Sequence, residues 1–268
     1  MNEHLDLRGQ FAGKYAVVTG STQGIGEAVA RLLAERGCAG LVICGRNQTN
    51  GDRVAAELRA AGCPTTFVRV DLGQLPEARA VVHTADAQFG NLHVLVNCAA
   101  VTDRGSILDA TPELFDRVFN VNVRAPFFLM QDAARIMLRE RTPGAIVNIL
   151  SINAYGGDRL LAPYSSSKGA LLTLTRNAAN HLSEWHIRVN GVGLGWTDTP
   201  AEDVIQRTFH GAPADWVAQA ERRLPFGRMI KPPEVARLVA FLASEESGLM
   251  TGTVVDLAHW PQGTFGNR

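Results

Sequence analysis

This sequence lacks any imbalance of charge. Its 268 residues carry 26 basic and 26 acidic side chains, so the formal net charge is zero. No global field draws such a chain to nucleic acid or to an anionic membrane surface. Long apolar runs are also missing, and none approaches the ~20 residues of a bilayer-spanning helix. Residues 1–13 mix His4, Asp6 and Arg8 with isolated apolar side chains, and lack the apolar centre of a secretory signal. The four cysteines, Cys38, Cys44, Cys63 and Cys98, form no C-x-x-C pair and have no histidine cluster beside them. Metal and disulfide readings therefore give way to buried, reduced thiols. There is no Pro/Ser-rich linker, no internal repeat and no low-complexity stretch. The expectation is a cytoplasmic chain of one domain over residues 1–268, with no metal, no nucleic acid and no membrane as partner.

The apolar residues that are present, 46% of the chain, fall into short runs. Tyr15-Ala-Val-Val-Thr19, Leu41-Val-Ile-Cys44, Thr65-Thr-Phe-Val-Arg-Val70, His93-Val-Leu-Val96, Ala145-Ile-Val-Asn-Ile-Leu150, Ile187-Arg-Val-Asn-Gly-Val192 and Thr253-Val-Val-Asp-Leu257 read as strands, most of them buried on both faces. Helical spacing fills the intervals, at 27–36, about 52–61, about 76–89, from Thr111 towards Arg139, 163–182 and 233–243. Thr111-Pro112 supplies an N-cap followed by proline at the first helical position. Strands alternating with helices predict an α/β, Rossmann-type doubly wound parallel sheet with helices on both faces. Residues 200–225 contain no clean strand and read as an inserted helical lid or substrate loop.

Between the first strand and the first helix lies Thr19-Gly20-Ser21-Thr22-Gln23-Gly24-Ile25-Gly26. Glycine permits φ > 0 and a close backbone approach to a pyrophosphate, while the following helix offers free N–H groups and a positive dipole. The Gly-x-x-x-Gly-x-Gly spacing resembles that of the short-chain dehydrogenase/reductase family, in its compact single-domain form. The resemblance runs from about Phe11 to Leu257 and implies a nicotinamide cofactor. No carboxylate ends the second strand, where one would hold a 2′-hydroxyl. Arg46 stands there instead, and a guanidinium suits a 2′-phosphate. NADP is therefore expected, with NAD as the alternative, since the other basic position of NADP-using relatives holds neutral Gln23. The resemblance adds Asp71 with Leu72 at the adenine, Asn97 and Ala99 after the fourth strand, and Gly195, Thr197 and Thr199 near the carboxamide. The departures from the family pattern are Cys98, Ala100, Leu194 in place of proline, and Ala258-His259-Trp260-Pro261 in place of a glycine pair after the last strand.

Tyr164-Ser165-Ser166-Ser167-Lys168 carries the chemistry. Residues four apart share a helix face, so Lys168 lies close to the Tyr164 phenol, where a cation favours phenolate. Tyr-x-x-x-Lys is common by chance, but this chain has only three lysines, Lys14, Lys168 and Lys231. Ser151 ends the fifth strand thirteen residues before Tyr164, the family spacing, and Asn122 lies in Asn120-Val-Asn-Val-Arg. Together Asn122, Ser151, Tyr164 and Lys168 match the family's catalytic tetrad. The resemblance implies that Tyr164 exchanges the proton, Ser151 polarises the substrate oxygen, Lys168 tunes Tyr164 and binds the ribose, and Asn122 holds a water in a proton relay.

These residues predict hydride transfer between NAD(P) and a ketone or secondary alcohol. Asn153, Tyr155 and Trp196 are the substrate candidates, mixing polar groups with aromatics as a sugar, polyol or small hydroxylated ketone would require. Asp103 reads as loop packing. Other readings are a 3-oxoacyl-thioester reductase, an enoyl reductase, an epimerase of the extended relatives, or a dinucleotide sensor without catalysis. Retention of Tyr164 and Lys168 argues against the sensor, their four-residue gap against the enoyl reductase, and the short chain after Val192 against the epimerase. His259 is expected to be exposed in the tail beside Trp260. Small and apolar residues on the Tyr164 helix (Ser166, Gly169, Ala170, Leu174, Ala178) suit packing against a second copy, and the resemblance implies a homotetramer.

Overall fold

A computed structural model describes residues 7–261. Expectations attached to residues 1–6, including His4 and Asp6, lie outside the described residues, as do residues 262–268 of the single-domain range. Among the described residues, seven strands form one parallel sheet: β1 (Tyr15–Val18), β2 (Gly40–Gly45), β3 (Thr65–Arg69), β4 (Val94–Asn97), β5 (Gly144–Ile149), β6 (Ile187–Leu194) and β7 (Val254–Leu257). Their order is β3-β2-β1-β4-β5-β6-β7. The helices are α1 (Gly24–Glu35), α2 (Gln48–Ala60), α3 (Leu75–Phe89), α4 (Pro112–Phe119), α5 (Ala125–Arg139), α6 (Ala162–Leu182), α7 (Pro200–Phe209), α8 (Trp216–Glu221) and α9 (Pro232–Ala243). This is the doubly wound, Rossmann-like sheet with helices on both faces that the alternation predicts.

The two-residue period of a strand assigns neighbours to opposite faces. Val18, Ile43, Val96, Val147 and Val192 pack with Val29 and Leu33 of α1, Val54 and Leu58 of α2, and Val235 and Val239 of α9. Val17, Val42, Leu95, Ile146 and Val189 pack on the other face with Val81 and Val82 of α3, Leu129 and Met137 of α5, and Ala179 and Leu182 of α6. Burying each of the larger side chains contributes about 1.5–3 kcal/mol. No helix among the described residues is long and apolar enough to cross a membrane, and no group of three His, Cys, Asp or Glu side chains there could hold a metal. All four cysteines are free; Cys38, Cys44 and Cys63 are buried and Cys98 is half-buried.

One feature of the fold departs from the sequence expectation. The helix predicted from Thr111 to Arg139 is interrupted: between α4 and α5, residues Asn120–Arg124 form a π turn. Apolar residues keep helical spacing through it, so periodicity could not reveal it. Residues 200–225, expected as one insertion, form α7 and α8, with Thr199 Oγ1 accepting from Glu202 N–H as the N-cap of α7.

A polar ladder crosses the otherwise apolar layer between the sheet and α6. Asn97 Nδ2 donates to Asn148 Oδ1 at 2.8 Å, Asn148 Nδ2 donates to Thr175 Oγ1 at 2.9 Å, and Thr175 Oγ1 donates to the Leu171 carbonyl at 2.7 Å. All three side chains are buried. Removing the middle member leaves buried groups unpaired. Asn148→Ala is therefore expected to lower the unfolding free energy by about 2–4 kcal/mol, measured by urea denaturation. A loss below about 0.5 kcal/mol would show that the ladder does not hold α6 to the sheet.

Candidate active site

A cavity of about 670 Å3 opens above the C-terminal ends of β1, β2, β4, β5 and β6. This is where strand order reverses between β1 and β4, the usual crevice of open α/β sheets. Its floor begins at the glycine turn. Gly20 has φ +64°, and a Cβ on it would lie 2.8 Å from Ala99 Cα; a Cβ on Gly26 would lie 2.3 Å from the Gly20 carbonyl oxygen. The turn is thus folded so tightly that side chains are excluded at Gly20 and Gly26, bringing backbone and the start of α1 up to the cavity. Thr19 and Ser21 lock it in place. Thr19 Oγ1 accepts from the N–H groups of Cys98 and Ala99 at 3.0 and 3.1 Å. Ser21 Oγ donates to the Val18 carbonyl at 2.7 Å and accepts from Cys44 N–H at 3.0 Å.

Of the predicted cofactor positions, Gly20, Gln23, Gly24, Ile25, Gly26, Arg46, Asp71, Leu72, Ala99, Gly195, Thr197 and Thr199 line the cavity together with Tyr164 and Lys168. Ser21 and Asn97 are not among the lining residues, and their side chains turn inward: Ser21 clasps the turn to β2, and Asn97 belongs to the polar ladder. Arg46 is exposed at the rim, and Arg69 Nε donates to its carbonyl at 3.3 Å, bringing a second guanidinium to that corner. Asp71 Oδ1 accepts from Gly73 N–H. A glycine-rich turn at a helix N-terminus, basic groups at the β2 corner and a crevice of this size fit an extended dinucleotide.

Ser151, Tyr164 and Lys168 meet on one wall of the cavity. Ser151 stands two residues beyond β5, and α6, with Pro163 in its first turn, carries the other two on its inner face. Lys168 is only 2% exposed. Its Nζ donates to the Ile149 carbonyl at 2.7 Å and lies 5.8 Å from the centre of the Tyr164 ring. Burial lowers its pKa to about 8, with the Cys98 thiol raising it slightly. Cys98 is itself pushed up to about 12 by burial, opposed by the Lys168 charge. The Tyr164 phenol lies above its ordinary value, first because it is buried; the Ser151 hydroxyl lowers it, Glu202 raises it and Arg104 lowers it. Burial is the largest influence on the phenol, and the Lys168 ammonium, turned to the Ile149 carbonyl, is not among the groups that move it.

Asn122 is not on the cavity wall. It sits fully buried in the π turn, where Oδ1 accepts from Val101 N–H at 2.8 Å while Nδ2 donates to the Val101 carbonyl at 2.9 Å and to Ser167 Oγ at 3.0 Å. Its side chain ties the loop after β4 to α6. Of the substrate candidates, Asn153 and Trp196 line the cavity and Tyr155 does not. Tyr155 is half-exposed, and its hydroxyl donates to Asp256 Oδ1 on β7 at 3.2 Å. Asp103 pairs with Arg117 away from the cavity. His259 is buried, not exposed as expected: its Nδ1 lies 3.2 Å from where a Cβ on Gly195 would stand.

The sequence reading missed Arg104, Glu202, Gln206 and His210, which also line the cavity. The four-residue steps of Glu202, Gln206 and His210 were the available signal.

Comparison with known proteins agrees with this geometry. A family model described as Enoyl-(Acyl carrier protein) reductase matches residues 20–257. Dehydrogenase/reductase SDR family member 4 of Oryctolagus cuniculus is 37% identical over 255 residues, covering 94% of each chain. Cis-4-hydroxycyclohexanecarboxylate dehydrogenase of Sinomonas cyclohexanicum is 37% identical over 246 residues, covering 91% of this chain and 95% of its own. The chain belongs to the short-chain dehydrogenase/reductase family. Among solved members, an actinorhodin polyketide ketoreductase variant with NADPH superposes at TM-score 0.85 with 29% identity, covering 92% of this chain and 96% of its own. A short-chain type dehydrogenase/reductase from Mycobacterium marinum superposes at TM-score 0.86 with 30% identity, covering 97% and 99%. As a short-chain dehydrogenase/reductase, the protein is an oxidoreductase of CH–OH and C=O groups whose cofactor class is the nicotinamide dinucleotides.

The buried ammonium has a measurable cost. At pH 7 Lys168 is charged in folded and unfolded chains alike, so its whole burial penalty opposes folding. The penalty is relieved only as pH rises from about 8 towards the 10.5 of an ordinary lysine. Lys168→Met is expected to raise the unfolding free energy at pH 7 by about 2 kcal/mol, allowing for the unpaired Ile149 carbonyl. The gain should vanish near pH 10.5. Urea titrations at both pH values check this, and a variant less stable than the parent at pH 7 contradicts it.

Proposed function

We propose that this oxidoreductase uses NADP to interconvert a ketone and a secondary alcohol, with Tyr164 as the proton-exchanging group. The observation that carries the reading is the meeting of Tyr164, Ser151 and Lys168 on one wall of the cavity that the glycine turn opens into. Two neighbouring hydroxyls, phenol and serine, can polarise one substrate oxygen, which suits C=O chemistry better than reduction of a C=C bond. A bound dinucleotide supplies or accepts the hydride. Tyr164 holds the proton at its phenol oxygen and exchanges it with the substrate oxygen. Ser151 donates a hydrogen bond to that oxygen as charge develops on it. Lys168, fixed by the Ile149 carbonyl, holds positive charge beneath the ring and offers its remaining protons to a ribose. Asn122 acts as a positioning residue, keeping α6 in register with the loop after β4.

Arg46 supports NADP over NAD. It ends β2 where a carboxylate would select the 2′-hydroxyl, and it takes part in none of the ion pairs found among the described residues. The Sinomonas relative is named as a dehydrogenase of a cyclic secondary alcohol, which is consistent with a ring-sized substrate here. The segment carrying α7 and α8 serves as the substrate-side lid of a single domain. Self-association as a homotetramer is supported by the exposed Phe115 and Phe127 on α4 and α5 and by half-exposed small residues on α6.

Tyr164→Phe is expected to reduce kcat at least ~1000-fold with any ketone that the parent reduces, while NADPH affinity by fluorescence titration changes less than about twofold. Retained turnover would defeat the assignment. Arg46→Ala is expected to weaken NADPH binding by about 10–100-fold, the worth of charge-assisted hydrogen bonds, with little change for NADH. Equal effects on the two cofactors would remove the argument for NADP.

A further inference from the structure

The wall facing Tyr164 carries an ion pair whose two members do not satisfy one another. Arg104 comes from the loop after β4, and its side chain is only 15% exposed. Its Nη1 donates to the Thr102 carbonyl at 2.8 Å, and its Nε donates to His210 Nε2 at 3.2 Å. Its Nη2 lies 3.9 Å from Glu202 Oε1, beyond hydrogen-bond distance. Glu202 is held from its own side, because Oε1 accepts from Trp196 Nε1 at 2.9 Å and from Gln206 Nε2 at 2.8 Å. Among the described residues no donor reaches Glu202 Oε2.

Thus a largely buried guanidinium and a largely buried carboxylate face each other, each positioned by other partners and each with capacity left over. Arg104, Glu202 and Tyr164 line the same cavity, so this spare donor and acceptor lie within reach of a molecule docked at the phenol. Both groups also act electrostatically on that phenol, in opposite directions.

We infer that Arg104 and Glu202 form a substrate-recognition pair that receives a hydroxyl group: its O–H donates a hydrogen bond to Glu202 and its oxygen accepts one from Arg104 Nη2. The inference rests on the carbonyl reading of the site. It assigns the substrate to neutral ketones and secondary alcohols bearing a second hydroxyl. A substrate carboxylate is disfavoured against a hydroxyl, because it cannot donate to Glu202 and the repulsion of Glu202 opposes the attraction of Arg104.

The test compares kcat/KM for cyclohexanone, 2- and 4-hydroxycyclohexanone, and 4-oxocyclohexanecarboxylate, using NADPH. At least one hydroxyketone should exceed cyclohexanone by ~10-fold or more, because a site built for a hydroxyl penalises its absence. The difference should lie mainly in KM. Glu202→Gln and Arg104→Lys should each shrink that ratio roughly tenfold, and NADPH fluorescence titration of each variant reports whether its fold is intact. If a variant fails to fold, the parent's own ratio decides. Equal turnover of all ketones, preference for the carboxylate, or a ratio unchanged in both folded variants would overturn the inference while leaving the carbonyl reading standing. No turnover of any ketone would overturn both.

Discussion

A charge almost stripped of water sets the terms for this architecture. The Lys168 ammonium is 2% exposed and donates to the Ile149 carbonyl at the end of β5. That contact exists only while α6 lies at one height and rotation over the sheet. The fold secures α6 with polar contacts as well as apolar packing. The ladder of Asn97, Asn148 and Thr175 fixes the middle of the helix to β4 and β5, and Asn122 fixes Ser167, the neighbour of Lys168, to the loop after β4. Apolar packing tolerates sliding more readily than hydrogen bonds do, so these contacts define the geometry that the charge needs. The stability spent on the ammonium is stored at the position where the chemistry requires it.

The same logic explains the electrostatics of Tyr164. From sequence, a cation one turn away lowers the phenol's pKa. In the folded chain the phenol is buried, Lys168 points to Ile149, and desolvation prevails. The groups that pull the phenol down, Ser151 and Arg104, come from the end of β5 and the loop after β4. Glu202 opposes them from α7. The phenol's proton affinity therefore depends on the substrate-side wall, and docking a substrate between Arg104 and Glu202 changes the surroundings of the proton donor itself.

Much of this was legible in the residues. Strands buried on both faces read as unbroken β-branched runs, caps marked the helices, and the spacing of Ser151, Tyr164 and Lys168 survives folding as a shared wall. What escaped has a common cause. Ser21, Asn97 and Asn122 have the residue types that a binding site needs, yet each turns inward because its partners stand far away in sequence, Cys44, Asn148 and Val101 respectively. Periodicity reports which residues share a face, not which acceptor a side chain finds. The π turn was hidden because Val118, Val121 and Leu129 keep apolar spacing across it. Arg104 was hidden because its loop has no period at all.

Two departures from the family pattern resolve into one structural feature. Leu194 stands where the family resemblance implies proline, and Ala258-His259 where it implies glycines. A proline at 194 lacks the N–H that a strand residue offers. With leucine there, β6 runs on to Leu194, which pairs with Leu257 of β7, and Gly195 N–H donates to the Leu257 carbonyl at 2.9 Å. This longer pairing draws the tail across Gly195, where an added Cβ would come within 3.0 Å of Ala258 Cα and 3.2 Å of His259 Nδ1. His259 is buried as a consequence, and burial lowers its pKa. The loop of Gly195, Thr197 and Thr199 is thereby backed by the chain's own C-terminal segment.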